Sequence, residues 1–117
     1  MTPAPFRIAG IGCRAGTAPE ALAAALQAAG GAQALATIPE RAPELQPLAT
    51  ALDLPLHLVS VAGIATPTQS PRILARFGTG SVAEAAALGA AMTQGAARLV
   101  HPRRAFGPVT IAIAEVP

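Results

Sequence analysis

The chain has no lysine, tryptophan or tyrosine, and its only cysteine is Cys13. A lone cysteine excludes an intramolecular disulfide and is typical of a reducing compartment, so we expect a cytoplasmic protein. Residues 1–5 lack the charged and apolar regions of a secretory signal, so we expect no export. No block of basic residues with interleaved aromatics is present, which argues against nucleic acid as a partner.

Long charge-free membrane segments and metal-binding patterns are also missing. The longest uncharged stretch, residues 21–39, is interrupted by Gln27, Gly30, Gly31 and Gln33, so we expect no membrane span. Two histidines and one cysteine, far apart in the chain, do not have the spacing of a zinc site. We therefore expect neither a membrane nor a metal ion as a partner.

The residues that are present are typical of one folded domain. Of the 117 residues, 52% are apolar and only 12% are charged, which argues against disorder. Because the length suits one core, we assign residues 1–117 to a single domain. All eight basic residues are arginine, and with six acidic residues the net charge is +2.

Apolar periodicity and turn residues predict an α/β fold. We expect strands over 6–11, 34–38, 56–61, 98–101 and 109–116, and helices over about 17–29, 44–52, 70–78 and 81–93. The early alternation of strands and helices predicts parallel pairing, whereas a turn over residues 102–108 predicts an antiparallel hairpin at the end. The sum is a three-layer α/β/α domain with a mixed, mostly parallel sheet of about five strands.

A glycine-rich turn joins the first strand to the first helix: Gly10-Ile11-Gly12-Cys13-Arg14-Ala15-Gly16. Backbone N–H groups at such a turn, together with the helix dipole, favour an anion. Arg14 would add a charged, bidentate donor. Three residues separate Gly12 from Gly16, where the dinucleotide fingerprint has two, and no P-loop lysine follows; both nucleotide motifs are therefore disfavoured.

Two helix starts have the Ser/Thr-x-x-Glu pattern of a capping box, Thr17 with Glu20 and Ser81 with Glu84. Capping alone is enough to explain both patterns. However, a glycine turn precedes each start, and ligands of open α/β sheets bind where such helix ends meet. Two N-termini at one crevice would suit a molecule with several carboxylates.

Cys13 and the Arg103-Arg104 pair each have two interpretations. A helix N-terminus and Arg14 would favour the thiolate of a catalytic Cys13, but only His57 and His101 are available as a base, so we favour simple packing of a small residue in the turn. The arginine pair is either a solvated loop or a second anion clamp.

Five segments occur in an order known from one family: Gly10–Thr17, Leu35–Ile38, Leu54–Leu56, Gly80–Leu88 and Pro102–Ala112. Together they resemble the cobalamin-biosynthesis family that comprises CobE and the C-terminal domain of CbiG. The resemblance implies a three-layer α/β domain that acts in corrin-ring assembly. In that family CbiG acts in opening the ring-A lactone of a cobalt-precorrin, a hydrolysis placed outside this domain.

The resemblance also implies a ligand. Corrin precursors carry acetate and propionate arms around a flat apolar macrocycle, so their site needs N–H groups, arginines and apolar surface. We expect a protein that binds such a corrin-ring intermediate in an accessory or carrier role, with no other cofactor. The candidate ligand-binding residues are Gly12, Cys13, Arg14, Gly16, Thr17, Gly80, Ser81, Glu84 and Arg103.

Two alternatives stay open. One is a hydrolase-like enzyme acting on a precorrin or corrin intermediate, with Glu84 or His101 as acid or base; a Glu84 buried in the crevice, rather than bonded back to its helix start, would favour it. The other is a module that docks to another enzyme of the pathway, which would need an exposed apolar patch. Because no convincing nucleophile–base pair is present, we favour binding over catalysis.

Overall fold

The computed structural model describes residues 5–116, which form five strands, four helices and a 3-10 turn. The strands are β1 (Phe6–Gly12), β2 (Ala34–Thr37), β3 (Leu56–Leu58), β4 (Arg98–Phe106) and β5 (Val109–Val116). The helices are α1 (Pro19–Ala28), α2 (Ala42–Leu52), α3 (Pro71–Phe77) and α4 (Val82–Met92), and the 3-10 turn spans Pro39–Arg41.

All five strands join one sheet in the order β3-β2-β1-β5-β4. β1 pairs in parallel with β2, and β2 with β3, while β5 is antiparallel to both of its neighbours. Four strands consequently run in one direction and β5 runs against them. The predicted mixed sheet with a terminal hairpin is therefore confirmed, and two of its four strand pairings are parallel.

The helices cover both faces of the sheet, because the buried strands are apolar on both sides. On β1, Ile8 packs with α4 in one cluster, whereas Ala9 and Ile11 pack with α1 and α2 in another. Phe77 of α3 packs against the α4 cluster. This arrangement is the predicted three-layer α/β/α domain.

The contact between β1 and α4 depends on Gly10. A Cβ atom built there would overlap the Ala83 carbonyl oxygen and lie 2.6 Å from the Ala87 nitrogen, both on the backbone of α4. The small residues of α4 and the missing side chain at Gly10 together let the helix lie directly on the sheet. This close approach brings the N-terminus of α4 next to the turn that follows β1.

The terminal hairpin is longer than predicted. β4 extends to Phe106, so residues 102–106 are strand, and only Gly107 and Pro108 form the turn. The wider turn predicted from Pro102 and the arginine pair was wrong. β4 accommodates Pro102 because it is an edge strand whose register shifts between His101 and Arg104.

Two helix starts also differ from prediction. The N-cap of α1 is Ala18, with no side-chain bond, and the Thr17 hydroxyl donates instead to the Arg14 carbonyl over 2.7 Å, so no Thr17–Glu20 capping box forms. α2 begins at Ala42 rather than Glu44. A start at Glu44 would have placed Pro47 in the first turn, whereas Pro47 lies inside the helix. The preceding 3-10 turn extends the helix backwards.

Smaller differences concern β3 and α3. β3 ends at Leu58 instead of Val61. α3 begins after Ser70, whose hydroxyl accepts from the Ile73 N–H, and it is followed by its C-cap Gly78, as predicted. The apolar spacing of this helix also predicts that Leu74 is buried, but Leu74 is 41% exposed. Within residues 5–116, none of the helices has the length and apolar character needed to cross a bilayer.

Candidate functional site

A cleft of about 880 Å³ opens where the turn after β1, helix α3, the N-terminus of α4 and the hairpin meet. It lies beyond the carboxyl end of β1, the position at which open α/β sheets bind ligands. Its size is within the upper range of small-molecule sites. Its lining comprises Gly12, Cys13, Arg14, Ala15, Ile38, Arg41, Ser70, Arg72, Ile73, Arg76, Phe77, Gly80, Ser81, Val82, Arg103, Pro108 and Thr110.

Five of the eight arginines of the chain line this one cleft, and no acidic side chain within residues 5–116 does. They are Arg14, Arg41, Arg72, Arg76 and Arg103. Only Arg41 has a carboxylate within 4.0 Å among residues 5–116, namely Glu44 at 3.6 Å. Since like charges in a concave site reinforce each other, the cleft concentrates positive potential despite the small net charge of the protein.

Helix α3 contributes two of these charges from one face. Arg72 and Arg76 are four residues apart and therefore neighbours on the helix surface. The Arg76 guanidinium lies 5.2 Å from the centre of the Phe77 ring, a cation–π contact that restricts its orientation. Ile73 and Phe77 add apolar surface to the same wall of the cleft.

The glycine turn is held by the start of α2. The Arg41 Nε–H donates to the Cys13 carbonyl over 3.1 Å, and the Gly16 N–H donates to Glu44 Oε2 over 3.1 Å. The Gly16 N–H group, which the turn motif would leave for an anion, is therefore already paired. These two bonds fix the turn, and Arg14 within it is exposed.

We expect Glu44→Gln to loosen this turn. The Gly16 N–H bond, with a smaller contribution from Arg41, holds the pKa of Glu44 below its ordinary value of 4.5. A lowered carboxyl pKa means that this bond stabilises the turn above pH 4.5 and is lost as the pH falls through the lowered pKa. The variant should therefore reduce protection of the Gly16 amide from hydrogen exchange severalfold at neutral pH and remove its acid dependence.

The matched control is Glu40→Gln, which changes an exposed glutamate of the neighbouring 3-10 turn. Its Gly16 protection factor should equal that of the unmodified chain at every pH. Equal protection in the Glu44 variant would show that the carboxylate does not hold the turn.

Cys13 lies half-buried at the cleft, with no features of an activated nucleophile. Burial raises the pKa of its thiol, and the hydrogen bond with Thr17 and the charge of Arg41 offset this effect only in part. The thiol form therefore predominates at neutral pH. This environment fits the packing interpretation better than the catalytic one.

The second glycine-led helix start forms the floor of the cleft. A Cβ atom on Gly80 would overlap the Thr68 carbonyl oxygen, so only glycine allows the preceding loop to pack here. The buried Ser81 hydroxyl accepts from the Glu84 N–H over 3.3 Å, which confirms Ser81 as the N-cap of α4. The other half of the capping box does not form, because the Glu84 side chain points elsewhere.

Glu84 is fully buried and does not line the cleft. Its Oε1 accepts from the Thr68 N–H, and its Oε2 accepts from the Thr68 hydroxyl and the Arg103 N–H, each over 2.9 Å. The carboxylate is thus occupied by three donors from two other segments.

His101 lies outside the cleft. With Arg104 it lines a separate cavity of about 60 Å³ beneath the hairpin. Among residues 5–116, no group of three or more histidine, cysteine or acidic residues is arranged to hold a metal ion.

Of the predicted ligand-binding residues, the structure brings six together in the lining: Gly12, Cys13, Arg14, Gly80, Ser81 and Arg103. Gly16, Thr17 and Glu84 support the walls instead. Sequence reasoning missed Arg41, Arg72 and Arg76. The sequence contains little to mark them as site residues. Only the four-residue spacing of Arg72 and Arg76 on a short helix indicates that these two are neighbours.

The chain is similar to proteins of one pathway. The family model described as cobalamin synthesis G C-terminus matches residues 7–114. The solved structure of CobE, a protein from the cobalamin (vitamin B12) biosynthetic pathway, is 32% identical with a TM-score of 0.79, covering 100% of this chain and 94% of that one. The cobalamin biosynthesis protein chiG from Agrobacterium tumefaciens is 40% identical with a TM-score of 0.66, covering 93% and 97%. No curated protein matches significantly.

Proposed function

Because this chain belongs to the cobalamin synthesis G C-terminus family, and so to the proteins of cobalamin biosynthesis, we propose that its cleft binds a polycarboxylate corrin-ring intermediate in an accessory or carrier role. The observation that carries the proposal is the set of five arginines around one cleft without an acidic side chain in its lining. Carboxylate arms of the ligand would be counter-charges for the four arginines that have no carboxylate within 4.0 Å among residues 5–116, since guanidinium groups bind carboxylates bidentately.

The apolar part of the lining suits the macrocycle. Ile38, Ile73, Phe77 and Val82 offer hydrophobic surface between the arginines. A flat ring with charged arms requires this combination of an apolar centre and a basic rim.

The candidate catalytic groups support binding rather than chemistry. The three donors that occupy Glu84 leave it as part of the scaffold, even though it is buried away from its own helix start. His101 lines another cavity, and burial keeps the Cys13 thiol protonated. Among residues 5–116, the large exposed apolar side chains Leu52, Leu58, Leu74 and Met92 lie on four different elements, so no one helix presents two of them.

A titration with hydrogenobyrinic acid tests the proposal. We expect a saturable change in its visible absorption, and at a hundredfold excess over Kd a stabilisation of about 2.7 kcal/mol. For a chain of this size, that raises Tm by on the order of 10 °C. The methyl ester of the same corrinoid, which keeps the macrocycle but lacks the negative charges, is the control and should bind far more weakly.

Two outcomes would contradict the proposal. No absorption change and no stabilisation at ligand well above micromolar would exclude this corrinoid class as the ligand. Equal binding of the ester would show that the arginines do not recognise carboxylates.

A further inference from the structure

Two walls of the cleft share one anchor. Thr68 lies two residues before Ser70, the N-cap of the helix that carries Arg72 and Arg76. Arg103 lies on β4 and places its own side chain in the lining. Both segments donate to the carboxylate of Glu84, which links them through the first turn of α4.

The α3 wall has little buried packing of its own. α3 contains no fully buried residue, and of its residues Phe77 packs against the core. Segments with so few buried apolar contacts open locally at low free-energy cost unless another interaction fixes them. The two bonds from Thr68 to Glu84 supply such an interaction just before the helix begins.

The β4 wall is irregular at the same place. Arg103 lies within the register shift between His101 and Arg104, where pairing with β5 is interrupted. Its N–H group finds its acceptor in Glu84 Oε2 at 2.9 Å. The buried Glu84 carboxylate thus replaces the hydrogen-bond acceptor that β5 does not supply at this position. It thereby fixes the position of the Arg103 backbone on β4.

We propose that Glu84 is the positioning residue of the cleft: it fixes the α3 wall relative to β4 and so sets the spacing between Arg72, Arg76 and Arg103 that receives the ligand's carboxylates. The part that concerns the ligand rests on the proposed function. The part that concerns the spacing of the arginines does not rest on the proposed function, so the two parts can be tested separately.

Glu84→Gln disturbs the anchor with little change of shape. The amide keeps one oxygen for the Thr68 N–H, but its NH₂ group meets the Arg103 N–H, a donor facing a donor. The tie to β4 should therefore be lost while that to the Thr68 backbone remains. The matched control is Glu20→Gln, an exposed glutamate in the first turn of α1.

Pulsed electron paramagnetic resonance measures the spacing without any ligand. Spin labels would be attached at Ala75→Cys on α3 and Ala105→Cys on β4, both exposed positions, with Cys13→Ser removing the natural thiol. We expect one narrow distance distribution for the parent and for Glu20→Gln, and a distribution broadened or shifted by several ångström for Glu84→Gln. An unchanged distribution accompanied by a lower Tm would reduce Glu84 to a stabilising residue and overturn the proposal.

Thr68→Val keeps the proposal testable if Glu84→Gln does not fold. This variant removes only the hydroxyl donor, so we expect the distance distribution to broaden less than in Glu84→Gln. A distribution that does not broaden at all would contradict the positioning role of Glu84. In folded variants, the loss of hydrogenobyrinic acid affinity caused by Arg103→Gln should shrink from about tenfold to about two- to threefold when Glu84→Gln is already present. A purely structural Glu84 would leave that loss unchanged.

The outcomes separate the two proposals. Altered label distances in a chain that does not bind the corrinoid would leave the positioning role standing and overturn the proposed function. Corrinoid binding with unaltered label distances would support the proposed function and overturn the positioning role of Glu84.

Discussion

Replacing Arg14 by glutamine is expected to weaken binding of hydrogenobyrinic acid by about 10- to 150-fold. Arg14 lies on the glycine turn in the cleft lining, and its guanidinium has no carboxylate within 4.0 Å among residues 5–116. A charged hydrogen bond between it and a ligand arm contributes about 1.5–3 kcal/mol, which corresponds to that change in Kd. Visible-absorption titration of both proteins under identical salt measures the ratio.

The control for this prediction is Arg98→Gln, which removes the same charge outside the cleft. Arg98 lies on β4 with its guanidinium 3.7 Å from Glu115, and it does not line the cleft. Its loss should change the affinity less than about threefold, because Arg98 is exposed, does not touch the cleft and is already paired with Glu115, so water and salt screen its charge. Equal losses for the two variants would show that binding responds to net charge alone, and unchanged affinity for Arg14→Gln would make that arginine part of the scaffold.

Gly10→Ala is expected to destabilise the fold by about 3 kcal/mol, the upper end of the usual cost of overpacking. The added methyl group would overlap the Ala83 carbonyl and crowd the backbone and side chain of Ala87. Backbone atoms cannot move aside as a flexible side chain does, so α4 would have to shift off the sheet. Chemical denaturation and thermal melting measure the loss, with Tm falling by on the order of 10 °C.

Gly107→Ala separates this packing effect from the general cost of removing a glycine. Gly107 has a positive φ of 62°, and a Cβ atom there would meet nothing within 4 Å. Only backbone strain of about 1–2 kcal/mol is expected at this position. A Gly10 variant no less stable than the Gly107 variant would contradict the close contact between β1 and α4.

The Gly10 contact also ties the fold to the cleft. α4 places Gly80, Ser81 and Val82 on the floor of the cleft and Glu84 beneath it. A helix displaced from β1 would therefore move the floor and the anchor together. We expect the Gly10 variant, even where folded, to lose corrinoid affinity as well as stability.

The strands and layers were predictable because their signals are local. Continuous apolar runs over β1 and β2, glycine turns and the Ser70-Pro71 helix start each act over a few residues. The bounds of the hairpin were not predictable, since Pro102 and the adjacent arginines are typical of a turn. The edge position and the register shift of β4, which are properties of the assembled sheet, let them remain in a strand.

Glu84 and Glu44 show why the site was only partly predictable. The spacing of Ser81 and Glu84 predicts a capping box, and in the structure only the serine half forms. The carboxylate instead bonds to groups 16 and 19 residues away. Likewise the Gly16 N–H, which the turn motif offers to a ligand, pairs with Glu44, 28 residues further along the chain. Sequence motifs defined by short residue spacings do not identify partners that lie this far apart in the chain.

The sequence by itself determined the α/β class, the glycine turn after β1, the N-cap of α4 and the resemblance to cobalamin-biosynthesis proteins, because each depends on residues close together in the chain. Only the tertiary structure decided which arginines share the cleft and which carboxylate holds its walls. Arg14, Arg72 and Arg103 come from a turn, a helix and an edge strand, and their common location follows from the order of the strands in the sheet and the packing of α4 on Gly10. Packing of the helices on the sheet brings these distant charges together. Motifs formed by residues close in the chain do not indicate it.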